Sequence, residues 1–153
     1  MPHIHDLIDL TVSAFIVNKN KVLLVNHKIL SMWLPVGGHV ELHEDTDDAL
    51  IREIKEECGL DVKLYGKRHD KMSETSKPLT VPQFIEIHKF NERHRHLNLS
   101  YFAYSESDKV KLADKEHNEI KWFTAKEIID KELKTTPDVR FFALQALKIL
   151  GKK

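Results

Sequence analysis

The segment from Asp45 to Cys58 constrains the fold more than any other part of the chain, because it has the pattern of a single amphipathic helix. Leu50, Ile54 and Cys58 recur every four residues, with Ile51 beside them. This spacing places them on one helical face, where they can be buried against a core. Charged residues fill most of the remaining positions. The pattern therefore predicts a helix that packs on the rest of the domain through one stripe.

Three glutamates, Glu53, Glu56 and Glu57, lie on this helix. Residues three or four apart share a helix face, so we expect the three carboxylates to project together and to repel one another. A hard divalent cation would remove that repulsion. Oxygen ligands favour Mg²⁺, with Mn²⁺ as the second choice, over zinc, which prefers histidine and cysteine. The sequence thus indicates an acidic metal site.

The 23 residues from Gly38 to Leu60, GHVELHEDTDDALIREIKEECGL, extend the pattern on both sides of the glutamates. Gly38 and Glu44 precede the helix, Arg52 adjoins the first glutamate, and Gly59 is placed to end the helix. Position by position, this spacing resembles the box motif of the Nudix hydrolase family. The resemblance implies an enzyme that hydrolyses a diphosphate linked to a nucleoside or another group.

The resemblance also implies roles for the acidic residues. Glu56 and Glu57 are expected to be the principal metal ligands, and the carbonyl of Gly38 completes the metal sphere in the family. Glu53 is either a further ligand or the base that takes a proton from the attacking water. Both roles for Glu53 stay open at the level of sequence.

Residues around the glutamates are expected to shape the site. In the family, the residue matching Arg52 bonds back to the one matching Glu44 and fastens the loop to the helix. Gly37 allows the backbone to approach a ligand closely. Many relatives recruit another carboxylate before the last strands, for which Glu116 and Glu119 are candidates. Ordinary surface charge is the interpretation that the sequence favours for both.

Helical and extended patterns alternate along the remaining chain and predict an α/β domain. The resemblance implies a Nudix-like α/β/α sandwich with a mixed central sheet. The expected elements are a β-hairpin (11–17 and 21–25), a bent loop or short strand (33–40), strands near 61–67, 81–90, 97–105 and 119–123, a short helix (124–131) and a final helix (137–150). The apolar face expected on the final helix comprises Phe141, Leu144, Leu147 and Ile149 or Leu150.

A polar wall for substrate is predicted on two neighbouring strands. By strand alternation His94, His96, Asn98 and Ser100 share one face, and Glu86 alternates similarly on the strand before. We expect His94, His96 and Glu86 to contact the base or phosphates of a nucleotide. The alternative is a solvated sheet face ending in a basic hairpin tip.

Composition bounds the remaining possibilities. The length of 153 residues predicts a single domain covering residues 1–153. Basic and acidic residues balance at 24 each, which argues against nucleic acid or a membrane surface as partner. One cysteine excludes an intrachain disulfide, and the first ten residues lack a signal-peptide pattern, so cytoplasmic location is expected. A homodimer is left open.

Three functions remain after these exclusions. A small enzyme of this family, with a small-molecule nucleotide as its partner, is expected to convert a nucleoside triphosphate to monophosphate and pyrophosphate. The alternative substrate is ADP-ribose or a nucleotide sugar. A catalytically silent nucleotide-binding module is the third possibility, and the complete set of box glutamates argues against it.

Overall fold

Strands and helices follow one another in the predicted order. The structure is a computed structural model that describes residues 6–151, so the first five residues of the polar N-terminal segment lie outside it. The strands are β1 (Ile8–Asn18), β2 (Lys21–His27), β3 (Trp33–Leu34), β4 (Val36–His39), β5 (Lys63–Tyr65), β6 (Phe84–Lys89), β7 (Arg95–Tyr104) and β8 (His117–Thr124). The helices are α1 (Thr46–Cys58), α2 (Ala125–Ile129) and α3 (Pro137–Leu150). The segment predicted as a bent loop or short strand is two strands separated by Pro35.

The described strands belong to one mixed sheet centred on β1. Strand β1 pairs in parallel with β7 and antiparallel with β2 and β4. Strand β2 carries β3 and β8, while β7 carries β5 and β6. The predicted hairpin is present, and Lys19 and Asn20 form its two-residue turn with φ values of 42° and 63°. Positive φ at both positions matches the twist of the paired strands.

Helices cover both faces of the sheet and bury two separate apolar clusters. On one face Leu50, Ile54 and Cys58 of α1 pack on the central strands, as predicted. On the other face α2 and α3 pack against residues such as Phe15 and Phe102. This arrangement confirms the α/β/α sandwich with a mixed sheet. None of the helices within residues 6–151 is long and apolar enough to cross a membrane.

Two apolar residues lie elsewhere than their spacing predicts. Phe141 is 51% exposed and Ile51 is 46% exposed, so their assignment to buried stripes is wrong. Helix α3 carries apolar residues around much of its circumference, and packing selects the face that contains Phe142. The ring of Phe142 stacks on Phe84 of β6 with 4.4 Å between centroids. Tertiary contact, rather than helical periodicity, therefore determines which phenylalanine is buried.

A buried carboxylate ties the β5–β6 connection to the start of α1. The Oδ2 atom of Asp47 accepts hydrogen bonds from the Thr80 backbone N–H at 3.1 Å and from the Thr80 hydroxyl at 3.1 Å. The guanidinium of Arg68 donates to the same oxygen at 2.7 Å. Both ends of a long polar connection thus converge on one helix residue.

We expect Asp47→Ala to lower the free energy of unfolding by about 2–3 kcal/mol, because it leaves the buried Thr80 N–H without its charged acceptor. Urea denaturation measures the change. Asp61→Ala serves as the matched control, since Asp61 is 93% exposed in its pair with Lys55 and should contribute little. Equal midpoints for the two variants would contradict this account of Asp47.

Candidate active site

The acidic helix α1 is held by complete caps at both ends. At its start, Asp45 accepts a hydrogen bond from the Asp48 N–H at 2.9 Å, and Asp48 bonds back to the Asp45 backbone. At its end, Gly59 adopts a left-handed φ of 71° and donates to the carbonyl of Lys55. Burial raises the pKa of the Cys58 thiol to about 11, which makes it an inert core residue rather than a nucleophile.

The guanidinium of Arg52 joins the loop to the acidic face of the helix. It donates to Glu44 Oε2 at 3.1 Å and to the carbonyl of His39 at 3.0 Å. It also donates to Glu53 Oε1 at 2.9 Å and to Glu56 Oε2 at 3.2 Å. The predicted contact between Arg52 and Glu44 is therefore present. One cation partly neutralises three carboxylates that would otherwise repel one another.

Two adjacent glycines of β4 lie against the carboxylates of Glu57 and Glu53. The Gly37 N–H donates to Glu57 Oε1 at 3.2 Å. A Cβ atom on Gly38 would lie 2.2 Å from Glu53 Oε1, so a larger residue would displace this carboxylate. Burial raises the pKa of Glu53 to about 7; Arg52 opposes the rise and the carboxylate of Glu57 adds to it. The two carboxylates thus share a confined, poorly solvated space beside β4.

A histidine that sequence reasoning missed completes this acidic pocket. His117, at the start of β8, lies with Nε2 2.7 Å from Glu57 Oε2, and both side chains are buried. Glu116 joins them, because the ligand atoms of these three residues all lie within 4.8 Å of one another. Glu119 is exposed and faces Asn26 in the sheet register. The chain fold therefore separates the two candidate carboxylates, and only Glu116 lies beside the box.

The three box glutamates do not form one compact ligand cluster within residues 6–151. Glu57 groups with the β8 residues, whereas Arg52 holds Glu53 and Glu56, and the Glu56 side chain is 61% exposed. The physical reason is charge: Glu53 and Glu56 turn to Arg52, while Glu57 turns to the Gly37 N–H and to His117. The carboxylate-rich donor set and the close glycine backbone still fit a hard divalent cation.

A cavity of about 510 Å³ opens beside the glycine pair. This volume is typical of sites for small ligands. Its polar wall includes Glu86, His88, His96, Asn98 and Ser100, and its apolar wall includes Phe15, Leu34, Val139 and Phe142. His94 does not line the cavity; its Nε2 lies 2.9 Å from Asp9 Oδ1 instead. It precedes the first residue of β7, and it lies on the same side as His96, since both imidazoles approach the carboxylate of Asp9.

The polar wall is oriented by hydrogen bonds within the sheet. The hydroxyls of Thr11 and Ser13 donate to Asn98 Oδ1 at 2.9 and 3.0 Å, and Asn98 Nδ2 donates to Ser100 Oγ at 3.1 Å. Burial raises the pKa of Glu86, and the nearby carboxylate of Asp138 adds to the rise. The Asn98 amide therefore has a defined orientation at the floor of the cavity.

A wider depression of about 1040 Å³ lies over the outer side of α1. It includes Arg52 and Glu56, with Lys55, Lys63 and Arg68 around it. It is more open to solvent and does not reach the glycine pair. The smaller cavity therefore offers the better enclosure for a nucleoside, while the outer depression offers basic groups beside the exposed carboxylate.

The fold and the acidic helix agree with a family comparison. The family model described as NUDIX domain matches residues 8–145, which include the box and the strands around the cavity. The chain belongs to the Nudix hydrolase family.

Individual relatives support this assignment. The "Probable DHNTP pyrophosphohydrolase" of Lactococcus lactis subsp. cremoris (strain MG1363) is 31% identical over 107 residues, which cover 70% of this chain and 60% of that protein. The chain thus spans about three fifths of that relative's length. The crystal structure of a NUDIX family hydrolase from Clostridium perfringens superposes with a TM-score of 0.81 at 31% identity, covering 93% of this chain and 97% of that one. The MutT protein from Methanosarcina mazei Go1 shares the fold, with a TM-score of 0.68, 20% identity and coverage of 98% and 99%.

We expect His117→Ala to weaken Mg²⁺ binding by about 10–100-fold, because partners that orient a metal-ligating carboxylate typically have effects of that size. The half-saturating Mg²⁺ concentration in a turnover assay measures the change, alongside the thermal midpoint. The conservative variant His117→Gln should recover part of the affinity by donating to Glu57. His69→Ala, on an exposed loop, is the control. A loss of thermal stability with unchanged Mg²⁺ dependence would assign His117 a purely structural role.

Proposed function

We propose that the chain is a Mg²⁺-dependent pyrophosphohydrolase that converts a nucleoside triphosphate to its monophosphate and pyrophosphate. The observation that carries the proposal is the adjacency of two features. An acidic pocket formed by α1, β4 and β8 lies beside a cavity large enough for a nucleoside. Gly37 and Gly38 belong to both, so a nucleoside in the cavity directs its phosphates towards the carboxylates.

The metal ligands that we propose are the carboxylates of Glu53, Glu56 and Glu57 with the carbonyl of Gly38, and Glu116 lies close enough to assist. Bound Mg²⁺ would neutralise charge on the phosphate oxygens and lower the pKa of a water ligand. Mn²⁺ has the same preference for oxygen ligands and could replace it.

The protein's own residues position these groups. Arg52 keeps the helix face and the preceding loop at a fixed separation through its bonds to Glu44 and the His39 carbonyl. His117 contacts Oε2 of Glu57, while the Gly37 N–H donates to Oε1. Apolar residues at the other end of the cavity exclude water from a bound base. These contacts bring the phosphate chain to the metal ligands without a large rearrangement.

The name of one relative supports a triphosphate as the substrate, rather than ADP-ribose or a nucleotide sugar. The Lactococcus lactis protein is described as a pyrophosphohydrolase acting on DHNTP, and it aligns with most of this chain. Product analysis tests the choice: pyrophosphate plus monophosphate supports the proposal, whereas two monophosphates would indicate ADP-ribose or a nucleotide sugar as the substrate.

We expect Glu57→Gln and Glu56→Gln to lower Mg²⁺-dependent kcat by at least about 100-fold, because each change weakens the site for the ion that would neutralise the reacting phosphate. The isosteric change should leave the fold intact, as circular dichroism would verify. Glu92→Gln, in an exposed pair with Lys89, is the matched control. Wild-type rates in either box variant would reject the assignment of these ligands.

We expect Glu86→Gln to change the ratio of kcat/KM between two nucleotides by about tenfold or more, because it alters a polar group that faces the base. A panel of nucleoside triphosphates at fixed Mg²⁺ measures the ratio. Ile87→Thr, on the opposite face of β6, is the control. His96→Ala and His94→Ala extend the test, with the larger effect expected at His96, which lines the cavity. Identical specificity ratios in the Glu86 and Ile87 variants would exclude the polar wall from substrate selection.

A further inference from the structure

Three strands bring a second set of metal-binding side chains together at the far end of the polar wall. Asp9 of β1 is the register partner of His96 of β7, and His39 belongs to β4, which pairs with the other side of β1. In the sequence, only His94 and His96 stand close enough together to suggest a shared ion. The fold supplies a carboxylate from one strand and another imidazole from a third.

The spacing of the ligand atoms matches a coordination sphere. Asp9 Oδ2 lies 3.2 Å from His39 Nε2 and 3.6 Å from His96 Nε2. One ligand atom from each of the three residues lies within 4.8 Å of the others. Two ligands about 2.1 Å from a tetrahedral ion are about 3.4 Å apart. An ion could therefore be bound with small side-chain adjustments.

Hydrogen bonding alone does not account for this arrangement. The distance of 3.6 Å from His96 to Asp9 exceeds hydrogen-bond range, so that ring is not held by the carboxylate. Instead the ring stacks on Phe90 with 4.7 Å between centroids and meets His39 edge-on at 5.2 Å. His94 lies 2.9 Å from the other oxygen of Asp9 and can orient the carboxylate. His39 is therefore held by its hydrogen bond to Asp9, whereas the ring of His96 is held by its aromatic neighbours.

We propose that Asp9, His39 and His96 form a binding site for a divalent transition-metal ion of the Zn²⁺ class. Two imidazoles and one carboxylate suit such ions, whereas Mg²⁺ prefers a sphere of oxygen atoms. Three protein ligands leave one tetrahedral position for water or an anion, and His39 and His96 both line the cavity. This site goes beyond the proposed hydrolase function and does not depend on turnover.

Calorimetry with Zn²⁺ on the tag-free full chain, in saturating Mg²⁺, tests the proposal. The Mg²⁺ occupies the carboxylate site, so that a remaining Zn²⁺ event reports the histidine site. We expect one Zn²⁺ per chain. His39→Ala and His96→Ala should each weaken it by at least about 100-fold, since loss of an orienting partner alone costs about 10–100-fold. Co²⁺ in place of Zn²⁺ should give a visible absorption band that the same variants remove.

Matched variants identify the ligands. Asp9→Asn keeps the size of the side chain, so weaker binding with an unchanged thermal midpoint would support the carboxylate as a ligand. His94→Ala should cause a smaller loss than His96→Ala, because His94 only orients Asp9. His69→Ala should have no effect.

Four results would overturn the proposal. They are no Zn²⁺ uptake in saturating Mg²⁺, unchanged affinity in both His39→Ala and His96→Ala, loss of binding in His117→Ala instead, and loss of binding in a variant lacking His3 and His5. The third result would place the ion at the Glu57–Glu116–His117 group. The fourth would assign it to histidines that lie outside the described residues.

Discussion

The contacts of the Arg52 guanidinium are the interaction on which the candidate active site depends. Four carboxylates in and around α1 would repel strongly if they shared a face without a counter-charge. Arg52 bonds three of them, Glu44, Glu53 and Glu56, and also the His39 carbonyl at the end of β4. A single side chain therefore neutralises charge and sets the distance between the helix and the glycine strand. A lysine could not make these contacts, because it lacks the planar fork of donors.

Steric limits at two glycines act together with the charge contacts of Arg52. A side chain on Gly37 would place its Cβ 2.1 Å from the carbonyl of Val12, and one on Gly38 would strike the carboxylate of Glu53. Strand β4 therefore admits no side chain at Gly37, and a side chain at Gly38 would displace Glu53. The valine before the pair, Val36, is fully buried in the core beneath α1. A large apolar anchor followed by two glycines thus positions backbone groups beside the carboxylates.

The sequence predicted what is local and missed what is assembled by the fold. The spacing from Gly38 to Gly59 defines a helix, its end and its acidic face because those features depend on neighbours within one turn. His117 could not be predicted, since it reaches Glu57 across sixty residues and no spacing links them. A ligand role for Asp9 could not be predicted either, because only the parallel β1–β7 register places it beside His96. The prediction that Phe141 is buried was wrong for a related reason: tertiary packing determines which of two apolar faces of α3 is buried.

Two consecutive residues of β4, Gly38 and His39, adjoin two different groups of potential metal ligands, because strand alternation directs them to opposite faces of the sheet. Gly38 lies against the carboxylate of Glu53 on the α1 side of the sheet, while the side chain of the next residue, His39, points to the cavity side and approaches Asp9. Oxygen donors dominate the first position and imidazoles the second, so the two positions prefer different ions. Because both adjoin one cavity, an ion at either would add positive charge where phosphates are expected to lie. The alternation of one four-residue strand therefore places both positions beside the same cavity.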